Sequence, residues 1–408
     1  MNRPEILSPA GNLEKLKAAI NFGADAVYLG GNRLNLRAFA DNFTDEKLKE
    51  GIKYAHDRGK KVYVTLNVFP HNEDMIDLEE YLIKLYNIGV DAIIVSDPGI
   101  IMTAREVVPE LELHLSTQAN CVNWKSALYW HRQGIKRIVL ARELSLEEII
   151  ELRKNLPMTC EIEAFIHGAM CVSYSGRCLL SNYLTGRDSN RGQCAQPCRY
   201  KYYLMEEKRK GEYFPVIEDE RGTYIMNSKD MCMIEHIPEL VKAGISSFKI
   251  EGRMKSVFYV AAVTKAYRQA LDAYLENPTN YKFQQKWMDY LMKPSHRKYF
   301  TGFYFNEYNK QALESSAYER QYDIVGTVVD YDETENRVTI EQRNKVWDSQ
   351  EVEVLRPQGD NVIVTLNDMR NDNGEKIESA PAAQMIFTAI VDEKLEKNDI
   401  IIVKKEDK

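Results

Sequence analysis

A TIM-type (β/α)8 barrel with a cysteine-containing insert after its seventh strand, followed by a small antiparallel β-barrel, is the fold class this sequence predicts. Three observations predict it. Down roughly the first 260 residues a unit recurs in which a helical stretch ends at a glycine and an apolar strand begins two or three residues later. The apolar strands number eight, and eight alternating β/α units favour a closed barrel over a doubly wound sheet. Beyond Tyr322 the pattern changes to short alternating strands, which suits an antiparallel barrel.

The strands are expected at Glu5 to Pro9, Ala26 to Gly30, Val62 to Asn67, Ala92 to Asp97, Leu113 to Gln118, Arg137 to Arg142, Glu161 to His167 and Phe248 to Arg253. They are rich in Val, Ile and Tyr and nearly continuous in apolarity, as in parallel strands covered on both faces. Gly23, Gly59, Gly89, Gly134 and Gly244 stand just ahead of five of them. Glycine ends a helix readily because no Cβ opposes the left-handed backbone. Between the strands, Leu13-EKLKAAINF follows Asn12 as a cap, Asp45-EKLKEGIKYAHDR follows Thr44, and Asp74-MIDLEEYLIKLYNI comes next. Ser145 with Glu148 three residues later is a capping box. A long helix after Ser256 is stopped by Pro278. The barrel domain is expected over residues 1–320, with the insert at about 168–240, and the small barrel over 321–408. The strands of that second domain are Ile324-VGTVVDY, Arg337-VTIEQ, Glu351-VEVL, Asn361-VIVTL and Asp399-IIIVK.

With 408 residues, 44 % of them hydrophobic, the chain can bury one large core and one small one. It shows neither a basic-then-apolar leader pattern nor an apolar run of membrane-spanning length, so it reads as cytoplasmic with no membrane partner. The net charge of −7 argues against a protein that coats nucleic acid. From Gln321 onward 20 Asp+Glu oppose 11 Lys+Arg, which leaves the first 320 residues close to neutral. A basic cluster lies at Arg187, Arg191, Arg199, Lys201, Lys208, Arg209 and Lys210. Such a run is ordinarily a solvated face, and phosphate contact is the sharper alternative. The stretch from Lys293 to Asn309 is aromatic and basic. It suits stacking platforms for unpaired bases or an aromatic docking seam.

Five of the seven cysteines, Cys171, Cys178, Cys194, Cys198 and Cys232, are concentrated in the insert. In a reducing compartment grouped thiols are used for metal or catalysis rather than disulfides. Zinc usually takes paired C-x2-C knuckles, and the spacing here is C-x6-C-x15-C-x3-C. Iron–sulfur clusters accept irregular spacing because the cluster itself bridges distant thiolates. Spacing therefore ranks iron–sulfur ahead of zinc, with inert core cysteines third. Cys121 and Cys160 stand alone and read as buried structural thiols.

In this fold the chemistry sits on the loops after the strands' C-terminal ends. Those ends are polar here: Ser8, Asn67, Asp97, Ser116-Thr117-Gln118, Arg142-Glu143, His167 and Glu251-Gly252-Arg253. Strand ends that merely meet water explain one or two of these. An Arg or His at three unit ends favours a ligand site.

The segment Glu163-AFIHGAMCVSYSGRCLLSNY closely resembles the signature of the collagenase-like peptidases, the unassigned-mechanism family U32. Glu5-ILSPAGNLEKLKAAINFGADAVYLGG, Leu115-STQAN and Phe248-KIEGRMKS resemble further parts of that family, so the likeness spans the chain. Some of its members are called collagenases, and others are oxygen-independent hydroxylases of tRNA, ribosomal RNA or the ubiquinone ring. One barrel with a small β-domain is most similar to the tRNA branch. That likeness implies prephenate-dependent formation of 5-hydroxyuridine at the wobble position of tRNA, with a 4Fe-4S cluster. It implies Cys171, Cys178, Cys194 and Cys232 as ligands, with Cys198 as an alternate for Cys194. Prephenate carries two carboxylates, for which Arg142 and Arg253 are the candidate partners. His167 and Glu143 are the candidates for proton handling. Family members occur as pairs, so a paralogous subunit is an expected partner. The alternative is a collagenase-like peptidase built on His167 and Cys171. A thiolate committed to iron cannot act as its nucleophile, and neither H-E-x-x-H nor G-x-S-x-G is present.

Overall fold

In a computed structural model the described residues are 3–36, 41–171, 173–199, 229–305 and 319–405, together with four two-residue strands between 204 and 223. Lys201, Lys208, Arg209 and Lys210 of the basic cluster lie outside them. So does the end of the aromatic stretch beyond Phe305.

The eight expected strands form one closed parallel barrel. In chain order the seven that precede the insert are β1 (Glu5–Pro9), β2 (Ala26–Leu29), β3 (Lys61–Leu66), β4 (Ala92–Val95), β5 (Glu112–Leu115), β6 (Arg137–Val139) and β7 (Glu161–Ala169). A short β8 (Asp230–Cys232) comes between them and the closing strand β9 (Ser247–Ile250), which pairs with both β1 and β7. The strands stop short of several expected ends, at Leu66, Val95, Leu115 and Val139. Polar side chains beyond those points thus sit on loops free to turn toward the mouth. The five glycines ahead of the strands all have positive φ, from 66° at Gly59 to 105° at Gly23. The Ser145–Glu148 capping box is formed in both directions, at 3.3 and 2.7 Å.

β7 runs on past the barrel. Its last three residues pair antiparallel with β8, which pairs in turn with β10 (Tyr299–Phe300). The described part of the aromatic stretch is thus a docking seam. Tyr299 joins the sheet, and Tyr304 donates its hydroxyl to the Phe165 carbonyl at 2.7 Å. Outside the barrel the helix α1 (Leu13–Asn21) packs against the twenty-residue helix α9 (Val257–Glu276).

The C-terminal domain closes as a six-stranded antiparallel barrel. Five of its strands follow the expected runs, and the sixth, Ile386–Ile390, pairs with Arg337–Gln342 and Val362–Asn371. Its inward residues are Phe387 and Ala389 alone, too weak an alternation to register as a strand in the sequence. The domain rests on α1 and α9 through Leu355, Ile400 and Ile402 against Phe22, Phe258, Ala261 and Ala262. Among the described residues no helix is long and apolar enough to cross a membrane.

Candidate active site at the mouth of the barrel

The C-terminal strand ends open into a cavity of about 310 Å³. Its floor is the barrel lumen, and part of its wall is the insert. The lumen has two halves. Leu7, Ala26, Tyr28, Tyr63, Ala92 and Ile94 from β1 to β4 make an apolar cluster. The half built by the later strands is ionic. Glu163 on β7 is fully buried between Lys249 of β9, at 2.5 Å, and Arg137 of β6, at 3.3 Å. Arg137 also bonds Glu5 and Glu161, each at 2.7 Å. Burial alone would push the Glu163 carboxyl up, but the Lys249 and Arg137 charges outweigh it and hold it below the usual range. The Lys249 ammonium lies 4.5 Å from the Tyr28 ring centre, and both residues line the cavity.

Two more cations stand above that floor. Arg142 pairs with Glu251 at 2.9 Å and lies 3.9 Å over the Phe165 ring. Arg253 is buried and donates to Thr65 Oγ1 (3.3 Å), Asn35 Oδ1 (3.2 Å) and Asn42 Oδ1 (2.8 Å). Both guanidinium groups border the cavity, as does Glu251. Asn67 donates to Ser116 Oγ at 3.2 Å, and its own Oδ1 is buried with no hydrogen-bond partner among the described residues.

The insert brings Cys171, Cys178, Cys194 and Cys198 to this cavity. Hydrogen bonds from the barrel rim and within the insert hold them. Glu143 accepts from the Ser175 N–H at 3.0 Å, and Thr117 bonds Ser175 at 3.2 Å. The Cys178 carbonyl accepts from Ser189 Oγ and Asn190 Nδ2, and the Gln196 N–H donates to Cys194 Sγ at 3.4 Å. Glu143 is thus a clasp for the insert and does not line the cavity. Among the described residues no three His, Cys, Asp or Glu side chains are gathered closely enough to hold one ion. The wall nonetheless carries four thiols in the company of Met170, Leu180 and Pro197, a set of sulfur donors that suits a soft, bridged iron–sulfur group. Cys198 reaches the cavity alongside Cys194 rather than in its place. Cys232 does not reach it: the thiol is buried on β8, 3.9 Å from the Tyr267 hydroxyl, and burial pushes it up to about 12. Cys121 and Cys160 are buried, as the sequence reading has them.

His167 departs from its expected role. Alternation along β7 points Glu163 and Phe165 into the lumen and would send His167 after them. The pairing with β9 slips by one residue between Phe165 and His167, however, and such a bulge reverses the facing that follows. His167 therefore packs among Tyr259 and Tyr267 of α9 and Tyr299 of β10, with ring centres 5.3–5.9 Å away. It does not line the cavity. Burial, with the Lys255 and His296 charges, pushes it down to about 3, so it stays neutral. The bulge depends on Gly168, whose φ is +105° and where a Cβ would lie 2.6 Å from the Glu251 carbonyl. Gly168→Ala is expected to destabilise the protein by about 1–3 kcal/mol, read as a lowered unfolding midpoint. Ser8 and Asp97 also serve the fold: Ser8 bonds Thr264 of α9 at 2.7 Å, and Asp97 caps the helix Pro98–Val107.

This architecture, with its thiol-bearing insert and its small second barrel, has known counterparts. Residues 11–314 match Peptidase family U32, and residues 320–401 match the Peptidase family U32 C-terminal domain. The chain belongs to peptidase family U32. It is 44 % identical to tRNA hydroxylation protein P1 of Bacillus subtilis, over 96 % of this chain and 93 % of that one. It is 38 % identical to tRNA hydroxylation protein P of Escherichia coli, over 99 % and 97 % of the two chains. A third relative, the 23S rRNA 5-hydroxycytidine C2501 synthase of Escherichia coli, is 40 % identical over 67 % of this chain and 40 % of its own.

Of the residues around the cavity, the polar strand ends include Asn67, Ser116, Thr117, Gln118, Arg142, Glu251 and Arg253 but not Lys249 and Tyr28, nor Glu163 beneath Lys249. A signal for two of them is in the sequence. Glu163 and Lys249 are charges inside strands that otherwise read as buried, and a buried charge requires a partner.

Proposed function

We propose that this chain is an oxygen-independent tRNA hydroxylase that forms 5-hydroxyuridine at the wobble position, with prephenate as co-substrate and a 4Fe-4S cluster as cofactor. The observation that carries the reading is one cavity that joins a wall of thiols to a cationic floor at the catalytic end of the barrel. Full-length relatives named as tRNA hydroxylation proteins support it. Cys171, Cys178 and Cys194 would hold the cluster. Cys198 completes the set by position, and Cys232 is the competing fourth ligand. Once bound, the cluster would supply iron able to exchange an electron or polarise an oxygen ligand. Arg253 and Arg142 would bind carboxylates, Arg142 while tethered to Glu251. Glu143 would act by holding the insert in register, and proton handling would not involve His167.

A peptidase built on Cys171 and His167 lacks its geometry. Nδ1 of His167 meets the Tyr267 hydroxyl at 3.4 Å, and Nε2 has no hydrogen-bond partner among the described residues. The deciding experiment incubates anaerobically purified protein with unmodified tRNA, with and without prephenate, and measures 5-hydroxyuridine by mass spectrometry of the digested tRNA. Product that requires prephenate is the expected result. Absence of product from iron-replete protein, with gelatin cleavage in its place, would overturn the reading.

A further inference from the structure

The rim of the cavity carries a group of side chains that the proposed chemistry does not use. Tyr174, Leu179, Leu184 and Met254 are each more than half exposed, and Tyr183 is 89 % exposed. Tyr174 and Met254 also line the cavity. So does Leu180, one turn from Leu184 in the short helix Leu180–Thr185, so the rim runs directly into the cavity. Large apolar side chains left exposed around one opening mark an interaction site.

Charge narrows what the partner is. Residues 171–198 contain Arg177, Arg187 and Arg191 against Asp188 alone, in a chain of net charge −7. Arg191 is engaged by Glu73 and Asp74 at 3.0 and 2.9 Å. Arg177 and Arg187 are exposed, and Arg187 borders the cavity. Aromatic faces interleaved with cations suit unpaired nucleotides: bases stack on the rings and phosphates meet the arginines. A base that reacts inside a cavity of this size must first leave its own stack, which exposes the faces of its neighbours.

We infer that the rim formed by Tyr174, Tyr183 and Arg187 is the docking surface for unpaired RNA nucleotides flanking the base that enters the cavity. This rests on the proposed function, and the test separates the two. Anaerobically purified holoprotein is titrated against a fluorescein-labelled, unmodified anticodon stem–loop, with anisotropy as the readout and product formation followed in parallel. Tyr183→Ala and Tyr174→Ala are each expected to weaken binding about ten-fold, the usual loss of one stacked base. Tyr183→Phe keeps the ring and is expected to bind as wild type. Arg187→Gln is expected to flatten the salt dependence by about one phosphate contact. Iron content, unchanged in each variant, would report an intact fold.

Wild-type affinity in both alanine variants would overturn the inference while leaving the proposed function standing, provided the wild type makes product. Equal affinity for a fully paired duplex would overturn it as well. So would a Tyr183→Ala variant whose RNA affinity is unchanged but whose oligomeric state shifts in sedimentation, since the rim would then be a protein contact. A wild-type chain that neither binds RNA nor makes 5-hydroxyuridine would remove both readings.

Discussion

Cys171→Ala and Cys178→Ala are each expected to abolish iron retention and tRNA hydroxylation together. Both thiols line the cavity, and loss of one ligand leaves a cluster iron open to solvent and oxidation. The measurement is iron and sulfide content with the visible spectrum, on protein purified without oxygen. The wild type should hold about four irons per chain, as a 4Fe-4S cluster requires, and each variant close to none. Cys121→Ala and Cys160→Ala serve as controls, because these thiols are buried in the main core away from the cavity and should leave iron unchanged. The pair Cys198→Ala and Cys232→Ala identifies the fourth ligand. Iron lost from the first and kept in the second matches the arrangement of the cavity. The reverse result would mean that β8 shifts when the cluster binds. Tight zinc in place of iron in the wild type would overturn the cofactor.

Glu163→Ala is expected to cost about 3–5 kcal/mol, the usual consequence of removing one partner from a buried ion pair. Lys249 loses its fully buried counter-charge, and Arg137 is left with Glu5 and Glu161 as partners. The double variant Glu163→Met with Lys249→Met should recover part of that loss, because it removes the ion pair as a unit. Chemical denaturation of the three proteins measures this, and equal stability of Glu163→Ala and wild type would contradict it. The same carboxyl sets a pH dependence. Its folded value lies below the unfolded carboxylate value of about 4.3. Its contribution is therefore fully present above that pH and is lost as the pH falls through the lower folded value. The acid limb of the wild type should accordingly be steeper than that of the double variant.

Much of the fold is legible in the sequence. The helix-stop glycines and the apolar runs after them are local features, and each produced its strand because a buried parallel strand needs little beyond continuous apolarity. The Ser145 capping box formed as expected for the same local reason. The C-terminal barrel was legible except at Ile386–Ile390, where only Phe387 and Ala389 turn inward.

The site was legible in part. Arg142 and Arg253 lie just past strand ends and reach the cavity, and so do four of the five insert cysteines. The facing of His167 was illegible in the sequence because it depends on a single slipped residue against β9, a partner strand distant in the chain. No pattern within β7 announces that slip except Gly168. Cys232 stands close to the other thiols in sequence, whereas the antiparallel pairing of β8 with β7 buries it behind the wall.

The repeating β/α order, the second barrel, the supply of thiols and the membership of family U32 are legible along the chain, since each rests on residues near one another in it. Which side chains share the cavity depends on how the chain closes on itself. Lys249 and Glu163 are 86 residues apart, and Arg137 and Glu5 are 132 apart. Closure of the barrel alone brings them together, and whether a charge on such a strand faces the lumen or the helices is settled by register with its neighbours.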